Sequence, residues 1–492
     1  MDSRLNRQNR DQVHKTDSLT SNGFKTSFFK NVLISGGFNY FSQGLTFLSS
    51  IILARLLAPE NYGLVGLITV FTGFISVFSD SGISLAIIKS DYGLTYHKSL
   101  DTIALIIGVG LFLFVALMAY PIATFYGNMN LILPTLLLST TFIFRSMSLV
   151  RGAILSKALN FNYLGKIVLV NTIITIVITI TMAYFGAEHW SIIVPQVLTS
   201  IFTVYLYERK TKFRFNYYSR PYLSVSFKYT KGLIGSLIGF NLVNYWARNA
   251  DNLLVGRFYG INDLGIYNRA YSLLTLPLAL ITGLMGTVLY PSLKKLKNEG
   301  GNIQTEYMYV LKVTRFLVFP ISFLLLLFPH PLVSTLWGNK WLEVAPLLPY
   351  FGLLVFSQPL LSSVGNVLVL EGKEKMLMYS GWIGAFFTIS SICFGAYFSL
   401  IAIVQYYALG FIILVLPFNV VFVYYHVLKF EPKMLFAFWC PIILISLGIW
   451  ISCFLNQRVW LEVCIFVMFV VMLGNSYTDL SNLIKKLKVI MK

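Results

Sequence analysis

The sequence predicts an all-α polytopic membrane protein of about 14 transmembrane helices. Three observations carry that prediction: the composition, the succession of apolar runs and the placement of positive charge. Of 492 residues, 57% are hydrophobic and 12% charged, against roughly 25% charged in soluble domains. The mean hydropathy of +0.73 leaves too little polar surface to coat a water-soluble globule of this size. The composition therefore excludes a cytosolic enzyme with an apolar core, and equally a disordered chain.

The apolar runs follow one another with little between them. They lie near 31–53, 63–83, 102–120, 131–150, 164–184, 189–207, 233–256, 270–290, 313–328, 347–370, 376–398, 400–425, 434–455 and 459–474. Most are long enough to cross about 30 Å of hydrocarbon as a helix. Residues 1–30 are polar, contain no signal-peptide apolar core, and read as a tail that stays in the cytoplasm. With the chain starting inside, the tails and cytoplasmic loops hold 31 of the 38 Lys and Arg. The outer loops hold 5: Arg55, Arg257, Arg269, Lys340 and Arg458. One missed span would invert every later loop, so this asymmetry supports the topology and places both termini in the cytoplasm. The net charge of +19 is explained by orientation, and a nucleic-acid partner is not expected.

The two halves repeat. Ala54-Arg55-Leu56-Leu57-Ala58-Pro59-Glu60-Asn61-Tyr62-Gly63-Leu64 follows the first span, and Gly256-Arg257-Phe258-Tyr259-Gly260-Ile261-Asn262-Asp263-Leu264-Gly265-Ile266 follows the seventh. At an offset of 202 residues, Arg55 matches Arg257, Gly63 matches Gly265 and Asn39 matches Asn241. Spans one and seven both run outward, so this is a parallel repeat of six spans, an arrangement transporters use around a central site.

Polar side chains form two stripes. Span seven carries Asn241, Asn244, Arg248 and Asp251 at spacings that share one helix face, and span one carries Asn39, Gln43, Thr46 and Ser50 in the same way. An arginine near mid-bilayer costs about 2.5–3.5 kcal/mol on insertion scales, enough to demand a partner or water. Arg248 reads either as a cation aimed at an anionic substrate or as one half of an ion pair with Asp251 one turn away. Arg145 in span four either lines a cavity or snorkels to the headgroups. Asp80, in Phe78-Ser79-Asp80-Ser81-Gly82, is either a helix terminus near water or an ion site. The lone amides Asn171, Gln196, Gln358 and Asn366 read as bonds between helices rather than ligand contacts.

Several chemistries lack their residues. There is no Gly-x-x-x-x-Gly-Lys-Ser/Thr phosphate loop, no pair of His at metal spacing and no assembled nucleophile–base pair. Neither a metal, a cofactor nor a catalytic residue is expected, and the chain reads as a non-enzyme. Cys393, Cys440, Cys453 and Cys464 lie in apolar runs and read as small buried apolar residues. The longest outer loop runs only from Pro329 to about Pro346, which argues against a membrane glycosyltransferase or polymerase.

Particular strings resemble a known family. Ile52-Leu53-Ala54-Arg55-Leu56-Leu57-Ala58-Pro59-Glu60-Asn61-Tyr62-Gly63 through Asp80-Ser81-Gly82 is one. Arg248-Asn249-Ala250-Asp251-Asn252-Leu253-Leu254-Val255-Gly256-Arg257, with Leu264-Gly265-Ile266-Tyr267-Asn268-Arg269-Ala270-Tyr271 and Leu289-Tyr290-Pro291, is the other. They resemble the polysaccharide transporter family of the multidrug/oligosaccharidyl-lipid/polysaccharide exporter superfamily, and within it the Wzx-type, colanic-acid-like repeat-unit flippases. The likeness covers spans one to eight best.

The resemblance implies two pseudo-symmetric six-helix lobes around a central cavity, with two further helices at the C-terminus. On that plan the N-lobe is 31–207, a basic cytoplasmic linker 208–232, the C-lobe 233–425, the last two spans 434–474 and the C-terminal tail 475–492. It implies a lipid-linked oligosaccharide on undecaprenyl diphosphate as cargo, moved across a bacterial inner membrane by alternating access for surface polysaccharide (lipopolysaccharide or exopolysaccharide) export. The resemblance carries substrate contact to Arg248 and Arg145, and the polar stripes add Asn244, Asn241, Asn39 and Gln43. It also implies a coupling ion, H+ or Na+, for which Asp251 and Asp80 are the candidates. Membrane lipid and a polysaccharide polymerase with its export machinery are the expected partners. The alternative within the superfamily is an ion-coupled exporter of small molecules or drugs, for which a mainly acidic and aromatic cavity is expected.

Overall fold

The computed structural model describes residues 21–79, 82–89, 94–213, 242, 245–246 and 248–470. These residues are helical throughout, with no strand among them. In hydrocarbon every backbone N–H and C=O has to be satisfied inside the protein, and a helix does this within one segment.

The first half runs through α1 (Ser21–Leu56), α2 (Pro59–Ser79), α3 (Ile83–Lys89), α4 (Leu94–Tyr126), α5 (Ile132–Ser139), α6 (Thr141–Lys157), α7 (Phe161–Tyr184) and α8 (Trp190–Thr211). The second half has a helix at 248–258, then α9 (Gly260–Asn298), α10 (Ile303–Leu327), α11 (Pro329–Leu336), α12 (Leu348–Ser362), α13 (Val364–Leu370), α14 (Glu374–Ala396), α15 (Leu400–Gly410) and α16 (Pro432–Phe454). Local chemistry sets several boundaries. Asn302 accepts from the Thr305 N–H at 3.2 Å and caps α10, and Ser399 accepts from the Ala402 N–H at 3.0 Å and caps α15. Lys212 adopts a left-handed conformation and ends α8. The chain past α15 widens into π-helix over Phe411–Val415 and Asn419–Val427, around Pro417.

Ten helices among the described residues are long and apolar enough to cross a membrane, and each coincides with an expected span. Of the other four expected spans, 31–53 and 270–290 lie within the helices Ser21–Leu56 and Gly260–Asn298 but are not among these ten, and 233–256 and 459–474 are only partly within the described residues, so the number fourteen stays an expectation. Leu117, Phe386 and Phe436 are 73%, 66% and 71% exposed. Such a belt would be untenable in water and costs nothing against acyl chains. The four cysteines are free. Cys393 is exposed rather than buried, because it joins this belt on α14.

Within the first half, α1 packs on α7, α4 on α6, and α8 on both α6 and α7. Within the second, α10 packs on α12 and α14 on α15. The halves meet chiefly where α2 lies against α9. One apolar core runs through that junction, joining Leu64, Leu67 and Ile68 to Val255, Leu264 and Ala270.

Candidate functional site

The junction is built from the repeat. A side chain at Gly63 would collide with the backbone of Ile261, and one at Gly265 with the backbone of Pro59. Gly265 is Gly63 shifted by 202 residues, and Ile261 is Pro59 shifted by the same amount. The contact is therefore reciprocal, as a pseudo-two-fold relation requires, and the glycines let two backbones touch. Gly66 and its counterpart Asn268 face each other at the same crossing.

Around the crossing, the end of α1 is tied to the second half. Arg55 donates to the carbonyls of Thr335 at 2.5 Å and Leu336 at 3.3 Å. Trp341 Nε1 donates to the Ala54 carbonyl at 2.8 Å, and Lys340 Nζ to the Arg55 carbonyl at 3.4 Å. These are the orphan carbonyls of a helix C-terminus, where cations and N–H groups are favoured. The Pro329–Pro346 stretch, expected as a plain outer loop, is α11 followed by a 3-10 turn over Asn339–Leu347, and it makes this clasp.

Arg269 was expected in an outer loop, and the structure corrects that. It lies in α9, only 6% exposed. Its guanidinium sits over the rings of Tyr62 at 4.3 Å and of Trp337 and Trp341 at 5.1 Å each, and donates to the Ser50 carbonyl at 3.1 Å. No carboxylate pairs with it among the described residues. Aromatic faces attract a cation without the desolvated anion that a buried ion pair would need.

The stripe on span seven does not hold together as one face. Arg248 is exposed, while Asp251 is 2% exposed. Asp251 accepts from the Tyr267 hydroxyl and from the Asn252 N–H, each at 2.8 Å. Of the two readings of Arg248, the ion pair with Asp251 is not formed: the carboxylate turns into the second half, toward a tyrosine cluster. Tyr271 and Tyr407 lie within electrostatic reach of both charges, and Gln358 donates to the Tyr407 hydroxyl at 2.7 Å. Asn241, Asn244 and Asp80 lie outside the described residues. On α1, Asn39 is exposed and Gln43 half-buried, with its Oε1 buried and unpartnered. Thr46 and Ser50 donate to their own helix, to the carbonyls of Ser42 and Phe47.

Arg145 lines a cavity of about 520 Å³ inside the first half, bounded by α3, α6, α7 and α8. Its surroundings are mixed: Asn171, Gln196 and Thr203 share the lining with Ile88, Leu149 and Leu164. Asn171 donates to the Thr203 hydroxyl at 2.8 Å, the bond between helices expected of it. Gln196 instead bonds its own helix at the Ile192 carbonyl.

Beside the cavity is a charge group that sequence reasoning missed. Arg151, counted with the cytoplasmic loops, is fully buried in α6. It donates to Asp101 Oδ1 on α4 at 2.9 Å and to Glu208 Oε1 on α8 at 2.8 Å, and also to the Met147 carbonyl. Its guanidinium lies 5.5 Å from the Phe213 ring centroid. The available signal was Asp101 itself, an acid at the edge of an apolar run that needs a partner. Among the described residues no group of three or more His, Cys, Asp or Glu is placed to hold a metal ion.

Known proteins extend this picture. The profile of a family described as "Polysaccharide biosynthesis protein" matches residues 52–346, from the end of α1 through the clasp. The chain is 26% identical over 313 residues to the teichuronic acid biosynthesis protein TuaB of Bacillus subtilis (strain 168), covering 63% of this chain and 64% of that one. It is 24% identical over 357 residues to the lipopolysaccharide biosynthesis protein WzxC of Escherichia coli (strain K12), covering 70% and 68%. A solved structure of the lipid II flippase MurJ, in an inward closed conformation, superposes with a TM-score of 0.69 at 17% identity, covering 92% of this chain and all of that one. That likeness bears on the fold: a helical membrane protein built as two lobes.

Proposed function

The chain belongs to the polysaccharide biosynthesis protein family, and on that premise we propose that it is a flippase for lipid-linked oligosaccharide. The cargo is a repeat unit on undecaprenyl diphosphate, carried across a bacterial inner membrane by alternating access. Its sugars and diphosphate cannot cross about 30 Å of hydrocarbon unaided. The polyprenyl tail stays in the bilayer while the head passes between the lobes.

The observation that supports this reading is Arg248: an exposed guanidinium that forms no ion pair with Asp251, whose carboxylate bonds Tyr267 and Asn252 instead; we assign Arg248 to the cytoplasmic side of the seam. It lies eight residues before Gly256, about 12 Å along a helix from the crossing. Gly256 itself packs on Leu67 of α2. A cation in a site of reduced dielectric attracts a diphosphate strongly, and a single fixed charge still permits release. The seam above it is held by backbone carbonyls and aromatic faces, contacts suited to breaking and re-forming. In this reading Asn39 and Gln43 contact the head from the facing stripe, and Asn241 and Asn244 extend the stripe of Arg248. Asp251 is the candidate for an H+ or Na+ site, an ion there displacing the Tyr267 hydroxyl; Asp80 is the second candidate. Both termini lie in the cytoplasm, and the delivered unit passes to a polysaccharide polymerase and export machinery.

The test is Arg248→Ala in proteoliposomes holding labelled undecaprenyl-diphosphate oligosaccharide. We expect accessibility of the label on the far side to fall to the protein-free level, with the variant inserted normally. Undiminished transport removes the site.

A further inference from the structure

The outward faces of α7 and α8 share a pattern. On α7, Lys166, Val170, Ile173 and Val177 are exposed, and on α8, Leu198, Ile201, Tyr205 and Arg209 are exposed. At about 100° per residue each set is one stripe along its helix. Each stripe lies on the side away from the residues that line the cavity, Leu164 and Asn171 on α7 and Gln196 and Thr203 on α8. Apolar stripes of this kind belong against acyl chains. The two helices pack together and run antiparallel, Tyr163 bonding at Leu206 and Asn171 at Thr203. Both stripes therefore finish in a cation at the same end of the lobe. No carboxylate pairs with either cation among the described residues. Of the acids described in the first half, Asp101 and Glu208 are bonded to Arg151, Glu60 opens α2 at the seam, and Glu188 stands before α8 at its far end.

Two more cations are fixed at this end. The Tyr163 hydroxyl of α7 donates to the Leu206 carbonyl of α8 at 2.9 Å, and Lys210 Nζ lies 5.3 Å from the centroid of that ring. Beyond it, Thr211 Oγ1 accepts from the Phe213 N–H at 3.3 Å, and Lys212 takes a φ of 54°. A left-handed conformation costs a non-glycine residue about 1 kcal/mol. The burial of Phe213 offsets it: the ring joins the apolar cluster of Ile83, Leu100 and Val150, with the Arg151 guanidinium 5.5 Å away. The turn leaves Lys212 exposed. Membrane orientation asks only that positive charge lie on one side. It does not require a lysine held by a ring, or a strained turn held by a buried phenylalanine, at the foot of two acyl-facing stripes.

We propose that the ends of α7 and α8 bind an anionic phospholipid of the surrounding membrane, with its phosphate headgroup on Lys166, Arg209 and Lys210 and its acyl chains along the two stripes. The occupant has to be anionic at one end and apolar over several helical turns, which excludes a free phosphate. A zwitterionic headgroup brings a cation of its own to a cationic rim. The site lies behind the cavity wall, away from any route between the lobes, so it holds a resident lipid and not the cargo. This inference goes beyond the flippase reading and does not depend on it.

The experiment uses the full chain in nanodiscs with two photoactivatable probes, a phosphatidylglycerol and the phosphatidylcholine of the same acyl chains, and maps the crosslinks by mass spectrometry. We expect the anionic probe to label α7 and α8 beside Lys166 and Arg209 at least about tenfold more than the zwitterionic one. Arg209→Gln with Lys210→Gln should erase most of that preference. Lys375→Gln with Lys433→Gln, which removes two exposed cations from the second half, should leave it intact. Lys166→Gln alone, the milder variant should the first pair not fold, should lower it about fivefold. Tyr163→Leu keeps every charge and removes the ring under Lys210, and should lower it about twofold to fivefold. Equal labelling by the two probes in the unmodified protein, or equal losses in the two Gln pairs, overturns the proposal. So does displacement of the anionic probe by undecaprenyl diphosphate at about a tenth of the concentration that unlabelled phosphatidylglycerol needs, since the site would then be the cargo's. Transport of lipid-linked oligosaccharide is read separately: its absence removes the flippase reading and leaves the lipid site standing.

Discussion

Arg151 and Arg269 are both buried arginines, yet they are held in opposite ways. Arg151 is bracketed by two carboxylates, Asp101 and Glu208, all within one lobe. Arg269 faces three aromatic rings and a backbone carbonyl, and its partners come from both halves: Tyr62 and Ser50 from the first, Trp337 and Trp341 from the second. In a low-dielectric interior an opened ion pair strands two charges, so a carboxylate clasp resists opening. A cation over aromatic rings is worth about 0.5–2 kcal/mol per contact, and breaking it strands no anion. Inside the lobe, where α4, α6 and α8 would move as one body in the proposed alternating access, the sequence places full charges. Across the seam, where the lobes would part on that proposal, it places contacts of modest and reversible strength.

Three substitutions break or sharpen that contrast. The largest effect is expected from Arg151→Met, which strands the buried Asp101 carboxylate and destabilises the lobe by about 3 kcal/mol; Glu208, a third exposed, adds less because water reaches it. Unfolding of the detergent-solubilised protein measures it. Adding Asp101→Asn and Glu208→Gln should recover most of the loss, because the penalty comes from the stranded charges; no recovery would mean that shape rather than charge ties these helices.

Next is Gly63→Leu, which drives a side chain into the Ile261 backbone. Overpacking of this kind costs about 1–3 kcal/mol, relieved here by separating α2 from α9. Spin labels at exposed positions of the two lobes should report a longer distance across the seam. Gly265→Leu should match it, since the contact is reciprocal, and unequal effects would argue against the pseudo-two-fold relation.

The smallest is Arg269→Lys. It keeps the charge and loses the planar guanidinium that lies on the rings, for a change of about 1 kcal/mol. We expect a several-fold shift of the seam toward its open form with the unfolding midpoint unchanged. A lowered midpoint with no change in seam distance would make Arg269 a structural anchor like Arg151.

Much of this was legible before any fold was known. The ten membrane-crossing helices fall on expected spans, and the matched strings around Gly63 and Gly265 mark the residues that meet at the seam. The candidate site was legible only in part. Spacing along one helix marked Arg248 as a cation among polar neighbours but left open whether it paired with Asp251, and only the fold showed the carboxylate bonded to Tyr267 instead. Arg269 read as a loop residue because the aromatic rings that bury it are distributed over 280 residues of chain, from Tyr62 to Trp341.

What the sequence alone determined is each helix's relation to its solvent: which segments are apolar enough for lipid, which end of each carries the positive charge, and where the chain repeats. Those are sums over one segment, and no partner is needed to evaluate them. Only the tertiary structure decided which side chains meet: Arg151 with Asp101 and Glu208, Arg55 with the Thr335 carbonyl, and Tyr267 with Asp251. A helix side chain sees whatever neighbouring helix packing brings to it, and lipid, as apolar as the helices themselves, gives no hydropathic signal of which neighbour that is.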